Sequence, residues 1–285
     1  MVLILLNCLN IERDRMILIF GYGTVGNAVH TLFNKLKVFV EDPKFQYKIS
    51  SVIIKHSKPK DLAVICVDAP FISGAGYDTK NVCSALRRLS ENEFKGLILI
   101  KSTIFPHQIT TLLKTFSDLN IAIWPELLRE ATADKDIFDT QVLFGGNVIQ
   151  LQTFKHQLDK IESFMIQRVS PEEAMQIKIL WNLFGAVKVS FWHSVYNSGF
   201  YHPSLIRKWK DFSYIKPQGD LNHLKQDGLY GYGGKCFPKD VLAYLECFKN
   251  PFLEKMDKMN AVMRYGTDKM KRDFVNPKTD TKYRI

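Results

Sequence analysis

MILIFGYGTVG, at Met16–Gly26, is the stretch of sequence that decides the fold. Its first five residues form an apolar run of strand length, and three glycines follow in the spacing G-x-G-x-x-G at the start of an amphipathic stretch. In such a turn the first glycine permits the tight bend, the second lets a pyrophosphate approach the backbone, and the third lets the helix pack against the strand. The segment therefore predicts a dinucleotide-binding turn, with free amides at the helix start facing the anion. A glycine-rich turn in a nucleotide-free fold is the alternative. The residues of the predicted turn are Gly21, Tyr22, Gly23, Thr24, Val25 and Gly26.

Short apolar runs and amphipathic stretches alternate after this turn. Runs that are apolar throughout, rather than at every second residue, are typical of strands buried on both faces of a parallel sheet. The pattern therefore predicts an α/β fold, a Rossmann-type doubly wound parallel sheet covered by helices. The predicted strands are Met16–Phe20, Lys37–Val40, Leu62–Val67, Leu97–Ile100, Ile121–Trp124 and Gln141–Gly146, and the predicted helices are Thr24–Leu36, Lys80–Leu89, Gln108–Phe116 and Leu151–Phe164.

The second predicted strand ends in two acidic residues, Glu41 and Asp42. An acid at this place in a dinucleotide-binding fold holds a ribose hydroxyl. It favours NAD over NADP, because it would repel the additional phosphate. We expect Asp42 to play this part, with Glu41 as the alternative.

Ser170-Pro171-Glu172-Glu173 is a helix start, with serine as the cap, proline at the first helical position and Glu173 closing a capping box. No proline follows until Pro203, so one helix could run for about 28 residues, or about 42 Å, and link two domains. We expect a nucleotide-binding domain at 1–168, in which 1–15 is an extension or an extra edge strand. The long helix and a small all-helical domain follow at 169–270, with a charged tail at 271–285.

Composition argues against several classes of protein. Of the 285 residues 46% are hydrophobic and 24% charged, as in ordinary globular proteins. The net charge of +10 is scattered along the chain, which argues against nucleic acid as a partner. No apolar run approaches the roughly 18 residues that span a bilayer. Five cysteines without a C-x-x-C pair suit a reducing cytosol, and we expect no metal.

A second glycine-rich segment, GYGGKCFPKD at Gly231–Asp240, places Cys236 just before a helix that proline initiates. Its thiolate should be favoured by the helix start and by Lys235 and Lys239, and Asp240 follows as a polar partner. A buried structural cysteine is the alternative. On the long helix, Lys178 and Asn182 are four residues apart and share one face. They could hold a developing oxyanion, or lie on a solvated face.

Together these segments resemble the UDP-glucose/GDP-mannose dehydrogenase family, most closely its UDP-glucose 6-dehydrogenases. The resemblance covers about residues 16–270. The matching motifs stand in family order: GYGTVG at Gly21–Gly26, KST at Lys101–Thr103, PELLRE at Pro125–Glu130, the Lys178/Asn182 pair and GYGGKCFPKD at Gly231–Asp240.

The resemblance implies two successive NAD-dependent oxidations of the C6 alcohol of a nucleotide sugar, UDP-glucose being the first choice. Cys236 would form a thiohemiacetal and then a thioester, while Lys178 and Asn182 stabilise the oxygen and Asp240 and Glu130 handle protons. Thr103 would sit between nicotinamide and a catalytic water. Beside Gly21–Gly26, the residues expected at the cofactor are Asp42, Thr103, Glu130 and Lys239. Those expected at the substrate are Glu126, Leu127, Leu128, Glu130, Lys178, Asn182, Tyr230 and Gly233.

A cytoplasmic homodimer, formed through the long helix, and a role in polysaccharide biosynthesis are also implied. The chain departs from the family at Trp124, where the family has Asn, and at Phe191–Ser194, where it has Phe-Asn-Glu. GDLNHLKQDGLY at Gly219–Tyr230 stands in place of an Arg-containing substrate loop, and the family's usual third, nucleotide-gripping domain is not expected. A β-hydroxyacid dehydrogenase and a non-enzymatic NAD-binding relative are therefore alternatives.

Overall fold

The computed structural model describes residues 15–139, 142–158, 165–197, 229–266, 274–275 and 282–283. The expected extension before residue 15, the segment from 219 to 228 and most of the expected tail lie outside these residues. The chain divides into two compact units. The first comprises Met1–Ala69 with Thr79–Lys178, and the second comprises Pro70–Asp78 with Ile179–Ile285. This division falls inside the long helix, and the domain boundary after residue 168 stays a prediction.

Most of the strands belong to one sheet in the first unit. In chain order the strands are β1 (Met16–Phe20), β2 (Lys37–Glu41), β3 (Leu62–Ile65), β4 (Phe71–Ile72), β5 (Gly76–Tyr77), β6 (Leu97–Ile100), β7 (Ile121–Ile123), β8 (Val142–Gly145), β9 (Ile166–Val169), β10 (Phe274–Val275) and β11 (Lys282–Tyr283). The sheet has seven strands in the order β2-β1-β3-β6-β7-β8-β9. Its neighbouring strands are parallel except β7 and β8, which are antiparallel. The predicted doubly wound α/β fold is confirmed, with this one antiparallel pair.

The central strands are buried because their sequences are apolar throughout. Every residue of β3 and β6 has no solvent exposure, as expected for strands covered by helices on both faces. Strand β9, the last in the sheet order, has no continuous apolar run in its sequence. It lies at the edge of the sheet and reads Ile-Gln-Arg-Val, with its two polar residues exposed. An edge strand is covered less completely, so it does not need the apolar run that made the other strands recognisable.

The helices largely follow the predicted pattern. They are α1 (Thr24–Leu32), α2 (Ser51–Lys55), α3 (Lys80–Glu91), α4 (Pro106–Thr115), α5 (Ala133–Asp139), α6 (Val148–Leu158), α7 (Pro171–Asn197), α8 (Cys236–Cys247) and α9 (Pro251–Tyr265). The first ends at Leu32, not at Leu36 as predicted, because the backbone of Phe33, its C-cap, leaves the helical conformation. The capping box of α7 is confirmed: the Ser170 amide donates to Glu173 Oε2 at 2.8 Å, and the Glu173 amide donates to Ser170 Oγ at 3.2 Å.

The second unit contains a β-hairpin as well as helices. Strands β4 and β5 pair in antiparallel fashion and pack against α8. This hairpin, in Pro70–Asp78, is an insertion between β3 and α3 of the first unit. Near the end of the chain, β10 pairs with β11. Within the described residues, no helix has the length and apolar character needed to cross a bilayer.

Candidate functional site

The first glycine-rich turn has the shape that a dinucleotide requires. Gly21 has a φ of 89°, and a Cβ there would lie 2.7 Å from the carbonyl oxygen of Cys66. A Cβ on Gly26 would collide with the carbonyl oxygen of Gly21, whereas a Cβ on Gly23 would meet open space. The outer two glycines thus serve close packing, and the middle one leaves the backbone open to a phosphate group. No side chain caps α1 at Gly23, so the amides at its start are available to an anion.

A cleft of about 260 Å³ opens beside this turn. It brings Glu130, which lies more than a hundred positions later, to the same place as Tyr22, Gly23 and Thr24. Four of the predicted cofactor residues thus share one cleft in the first unit. The lining residues are Tyr22, Gly23, Thr24, Asn27, Ala28, Glu130, Ala133 and Asp134.

The two acids after β2 have different surroundings. Asp42 lies against the glycine turn, where its Oδ2 accepts a hydrogen bond of 2.6 Å from the Tyr22 amide. The carboxylate of Glu41 instead forms an ion pair with Arg88 at 3.2 Å and accepts from the Ile49 amide at 3.1 Å. Glu41 thus holds neighbouring segments, whereas Asp42 bonds to the glycine turn and, through Oδ1, to the Lys44 amide at 2.8 Å. The expectation that Asp42 holds the ribose stays a prediction.

Glu126, expected at the sugar, lies in a buried ion pair at the ends of β6 and β7. Its Oε2 is 3.4 Å from Lys101 Nζ, with 3% of Lys101 and 8% of Glu126 exposed, and its Oε1 accepts from the Leu128 amide. The Lys101 ammonium also lies 3.8 Å from the ring centre of Trp124. Trp124, which departs from the family pattern, therefore makes a cation–π contact with this lysine.

The same buried pair lies near Cys66, which follows β3. Burial raises the pKa of the Cys66 thiol to about 12, with Lys101 lowering it and Glu126 raising it further. A thiol of this kind is protonated at neutral pH and packs as a small apolar side chain. Thr103 and Leu127, two further predicted residues, are half-buried in the loops after β6 and β7.

The turn that carries Glu130 is braced by an arginine–carboxylate pair. Arg129 donates to both oxygens of Asp136, from Nε at 2.8 Å and from Nη2 at 2.7 Å. The Thr132 hydroxyl adds a hydrogen bond of 3.0 Å. The pKa of Asp136 is lowered to about 2, and the hydrogen bond from the Arg129 side chain is the largest cause of this change. The pair thus fixes the short helical turn Glu130–Thr132 against α5.

In the second unit, Cys236 is the first residue of α8 and is solvent-exposed. The alternative that it is a buried structural cysteine is therefore wrong. The helix begins at Cys236 itself rather than after it. Its side chain lies at the end of the helix whose first amides have no partner within the helix.

The loop before Cys236 is fastened by α7 and α9. The Gly231 amide donates to His193 Nδ1 at 2.6 Å. The Tyr232 amide donates to Asn260 Oδ1 at 2.7 Å, and Asn260 Nδ2 returns a bond of 3.0 Å to the Tyr232 carbonyl. His193, a departure from the family pattern, is thus a partner of the loop. The Tyr230 ring stands edge-on to His193 at 5.7 Å.

Two further contacts hold the same loop on α9. The Tyr232 hydroxyl donates to Asp257. Burial raises the pKa of the Asp257 carboxyl, with the bond from Tyr232 opposing that change. Gly233 lies under the guanidinium of Arg264, where a Cβ would be 2.5 Å from Arg264 Cζ. The loop that leads to the thiol is therefore held by backbone and side-chain bonds rather than left free.

Asp240 is the centre of a buried cluster in the second unit. It has no solvent exposure, accepts a hydrogen bond from Asn182 Nδ2 and accepts another from the Tyr77 hydroxyl at 2.5 Å. Lys239 Nζ lies 3.6 Å from Asp240 Oδ1 and 4.8 Å from the Tyr77 ring centre. Burial, and then the charge of Asp240, raise the pKa of Tyr77 well above its usual range, so its hydroxyl remains a donor.

The cluster joins residues that the sequence proposed separately. Asn182 and Asp240 meet, and Lys178 and Asn182 are 4% and 3% exposed, so the alternative of a solvated helix face is wrong. Tyr77 was missed by sequence reasoning. It lies in a glycine-containing hairpin with no catalytic motif, and only the fold brings it to Asp240.

Comparison with known proteins shows which family the first unit resembles. Residues 30–158 match the model of the UDP-glucose/GDP-mannose dehydrogenase family, NAD binding domain. The UDP-glucose 6-dehydrogenase of Campylobacter jejuni subsp. jejuni is 25% identical over 196 residues, which cover 67% of this chain and 49% of that protein. The GDP-mannose 6-dehydrogenase of Pseudomonas savastanoi pv. phaseolicola is 26% identical over 235 residues, with coverage of 75% and 52%. This chain spans about half the length of the curated relatives it matches.

The fold is similar to that of a UDP-glucose dehydrogenase from the hyperthermophilic archaeon Pyrobaculum islandicum. The TM-score is 0.69 at 19% sequence identity, covering 88% of this chain and 69% of that one. This likeness concerns the fold alone. Taken with the open glycine turn, the family match identifies residues 30–158 as an NAD-binding domain of the kind found in the UDP-glucose/GDP-mannose dehydrogenase family.

Proposed function

We propose that the chain is an NAD-dependent dehydrogenase that oxidises the C6 alcohol of a nucleotide sugar to a carboxylate, with Cys236 as the covalent nucleophile. The observation that carries the proposal is the buried carboxylate of Asp240, held by Asn182 and Tyr77, in the helix that begins at the exposed thiol. Buried ionisable groups with specific hydrogen-bond partners are concentrated at reaction sites. UDP-glucose is the first substrate to test.

The cofactor would be held by the first unit. The amides of the Gly21–Gly26 turn suit the pyrophosphate, and Asp42 suits a ribose hydroxyl, as its position beside the Tyr22 amide supports. Glu130 borders the same cleft. When bound, NAD supplies the acceptor for the hydride that leaves the sugar carbon in each oxidation. Thr103 and Lys239 are the remaining residues proposed at the cofactor.

Cys236 would act on the aldehyde that the first oxidation produces. Its thiolate adds to the carbonyl carbon, a carbon–sulfur bond forms, and the carbonyl electron pair moves to oxygen. Loss of a hydride from that carbon gives a thioester, and water then breaks the carbon–sulfur bond and returns the thiol. In sum, an alcohol, two NAD⁺ and one water give a carboxylate, two NADH and three protons.

The buried polar side chains would manage charge during these steps. Lys178 and Asn182 would stabilise the negative oxygen of the thiol adduct, because a preorganised cation and amide need no rearrangement as the charge grows. Asp240 and Glu130 would accept protons, in part through water. The bond from Asn182 to Asp240 supports this assignment because it fixes the orientation of both side chains. Glu126, Leu127, Leu128, Tyr230 and Gly233 are proposed at the sugar nucleotide.

We also propose a homodimer formed through α7. The helix exposes a row of apolar side chains at helical spacing: Ile177, Leu180, Trp181, Phe184 and Phe191. The exposed fraction is 58% for Leu180 and 63% for Phe184. A contiguous apolar face of this kind is typical of a protein–protein interface.

The test of the proposed reaction is NADH formation by the purified chain with NAD⁺ and a panel of UDP- and GDP-sugars. We expect turnover in the wild type and loss of the complete oxidation in Cys236→Ala and Cys236→Ser. Cys247→Ala is the matched control, because Cys247 is another exposed free cysteine of α8. Wild-type turnover in Cys236→Ala would refute the covalent step. Turnover of a simple hydroxy acid without a nucleotide would favour a β-hydroxyacid dehydrogenase, and tight NAD binding without any turnover would favour a non-enzymatic relative.

A further inference from the structure

Three aromatic rings stand together beside the predicted nucleotide site of the first unit. Phe45 and Tyr47 are stacked, with ring centres 5.9 Å apart and planes 25° apart. The Tyr22 ring lies edge-on to both, at 6.1 Å from Phe45 and 6.0 Å from Tyr47. We call Tyr22, Phe45 and Tyr47 the aromatic group. Its members come from the glycine turn and from the loop after β2.

Two of these rings are open to solvent. Phe45 is 45% exposed and Tyr47 is 50% exposed. Covering a water-exposed aromatic face with a flat partner is favourable, because apolar surface is removed from water. Single exposed aromatics are common on protein surfaces, but a stacked pair next to a ligand-binding turn is a more specific arrangement.

The loop that carries the pair has a fixed shape. Asp42 and Tyr47 exchange two backbone hydrogen bonds, of 2.9 and 3.1 Å. Asp42 Oδ1 accepts from the Lys44 amide at 2.8 Å, and Gln46 has a left-handed φ of 57° that turns the chain back. The third ring is also held, because the Tyr22 hydroxyl is hydrogen-bonded to His30 Nδ1 at 2.7 Å. The aromatic group therefore has its geometry before any ligand arrives.

The loop also carries the acid that identifies the ligand. Asp42, the first residue of this closed loop, is proposed to hold the ribose next to the pyrophosphate. The ribose that an acid at this place bonds is the one that carries the additional 2′-phosphate in NADP, namely the adenosine ribose. Adenine is attached to C1′ of that ribose, next to the carbon that bears the 2′-hydroxyl. Tyr47 pairs with Asp42 through the backbone, and Phe45 stacks on Tyr47, so both rings belong to the same short closed loop as the acid.

We infer that the aromatic group binds the adenine of NAD by stacking, with Phe45 and Tyr47 as the stacking surface and Tyr22 as its support. Stacking needs no hydrogen bonds to the base edge and suits a loop whose exposed side chains offer ring faces. The inference deepens the proposed cofactor site. It rests on the proposal that Asp42 holds the ribose, and is independent of sugar turnover.

The test is calorimetric titration of the purified chain with NAD⁺, with AMP, which carries the adenine half alone, and with nicotinamide mononucleotide, which lacks adenine. Stacking of a base on an aromatic side chain is worth about 1–3 kcal/mol. We therefore expect Phe45→Ala and Tyr47→Ala each to raise the Kd for NAD⁺ and AMP about fivefold or more. The response to nicotinamide mononucleotide should stay as in the wild type. Tyr47→Phe keeps the ring and should stay within about twofold of wild type.

Phe252→Ala is the control, because Phe252 is an exposed aromatic of α9, in the other unit. The inference is overturned if AMP affinity changes less than about twofold in both alanine variants, if nicotinamide mononucleotide weakens in parallel with AMP, or if the wild type binds neither NAD⁺ nor AMP. NADH formation with sugar nucleotides is recorded on the same samples. If the wild type binds AMP without any turnover and both alanine variants bind AMP more weakly, the proposed reaction is refuted and adenine stacking is supported.

Discussion

The hydroxyl of Tyr77 donates a hydrogen bond to the carboxylate of Asp240, although the two residues are 163 positions apart in the chain. The bond joins the Pro70–Asp78 hairpin to α8 within one compact unit. Because Asp240 is fully buried, each donor that reaches it offsets part of the loss of its hydration.

Replacing Tyr77 by phenylalanine should therefore destabilise the protein while leaving its shape unchanged. A lost hydrogen bond to a buried charged group costs about 1.5–3 kcal/mol. Urea unfolding at neutral pH measures the loss. Tyr244→Phe is the control, since the Tyr244 ring packs against Phe248 at the end of the same helix. Equal unfolding free energies for Tyr77→Phe and the control would show that the bond contributes nothing.

Replacing Gly231 by alanine should loosen the loop that precedes Cys236. Gly231 has a φ of 81°, and a Cβ there would collide with Asn260 Oδ1, which also accepts the Tyr232 amide. We expect a loss of stability beyond the roughly 1–3 kcal/mol that a left-handed non-glycine residue costs. Gly266→Ala is the matched control, because Gly266 also has a positive φ but a Cβ there meets nothing within 4 Å.

The two glycine variants are compared by thermal unfolding and by the rate at which iodoacetamide alkylates Cys236. Gly231→Ala should change the alkylation rate, and Gly266→Ala should not. If both variants lose the same stability and keep the same rate, the contact with Asn260 does not hold the loop.

The pair of Asp136 and Arg129 should make stability depend on pH in acid. The folded pKa of Asp136 is about 2, below its ordinary value of 3.8. A lowered pKa stabilises the fold above the unfolded value, so the contribution is fully present above about pH 5. It is lost as the pH falls toward 2, with about half gone at pH 3. The size should be on the order of 1 kcal/mol, because the exposed guanidinium is screened by solvent.

Asp136→Asn removes this contribution. Urea unfolding should therefore show the wild type to be more stable than the variant at pH 7, with a smaller difference at pH 3. A difference that stays constant or grows toward acid pH would contradict the assignment of the lowered pKa to Asp136.

The apolar face of α7 should determine the oligomeric state. Phe184→Asp places a charge at a side chain that is 63% exposed, and should convert a dimer to a monomer if that face is an interface. Phe252→Asp is the matched control, since Phe252 is exposed to the same fraction. Light scattering after size exclusion gives the mass. A monomeric wild type, or a dimer that survives Phe184→Asp, would refute the proposed interface.

The sequence predicted those parts of the fold that have a clear local residue pattern. Continuous apolar runs predicted the central strands, and Ser170 with Glu173 predicted the start of α7. The edge strand β9 was missed because its polar residues give no apolar run. The hairpin β4–β5 was missed because its strands have two residues each, too few to form a pattern.

The sequence predicted the part of the site whose residues lie in recognisable motifs. Motif spacing pointed to Asn182 and Asp240, which do meet. It could not point to Tyr77, or to the pairing of Lys101 with Glu126 and Trp124. These contacts join residues that are far apart in the sequence. They cannot be predicted from the pattern of any one segment.

The Pro70–Asp78 hairpin has a consequence for how this protein can be divided. A segment that starts at Ile179 would contain Cys236, Asn182 and Asp240, yet it would lack the phenol that bonds to the buried carboxylate. Because that phenol is encoded within the nucleotide-binding half, recombination that exchanges only the later half of the gene would leave Asp240 short of one donor. The two halves are expected to be inherited together.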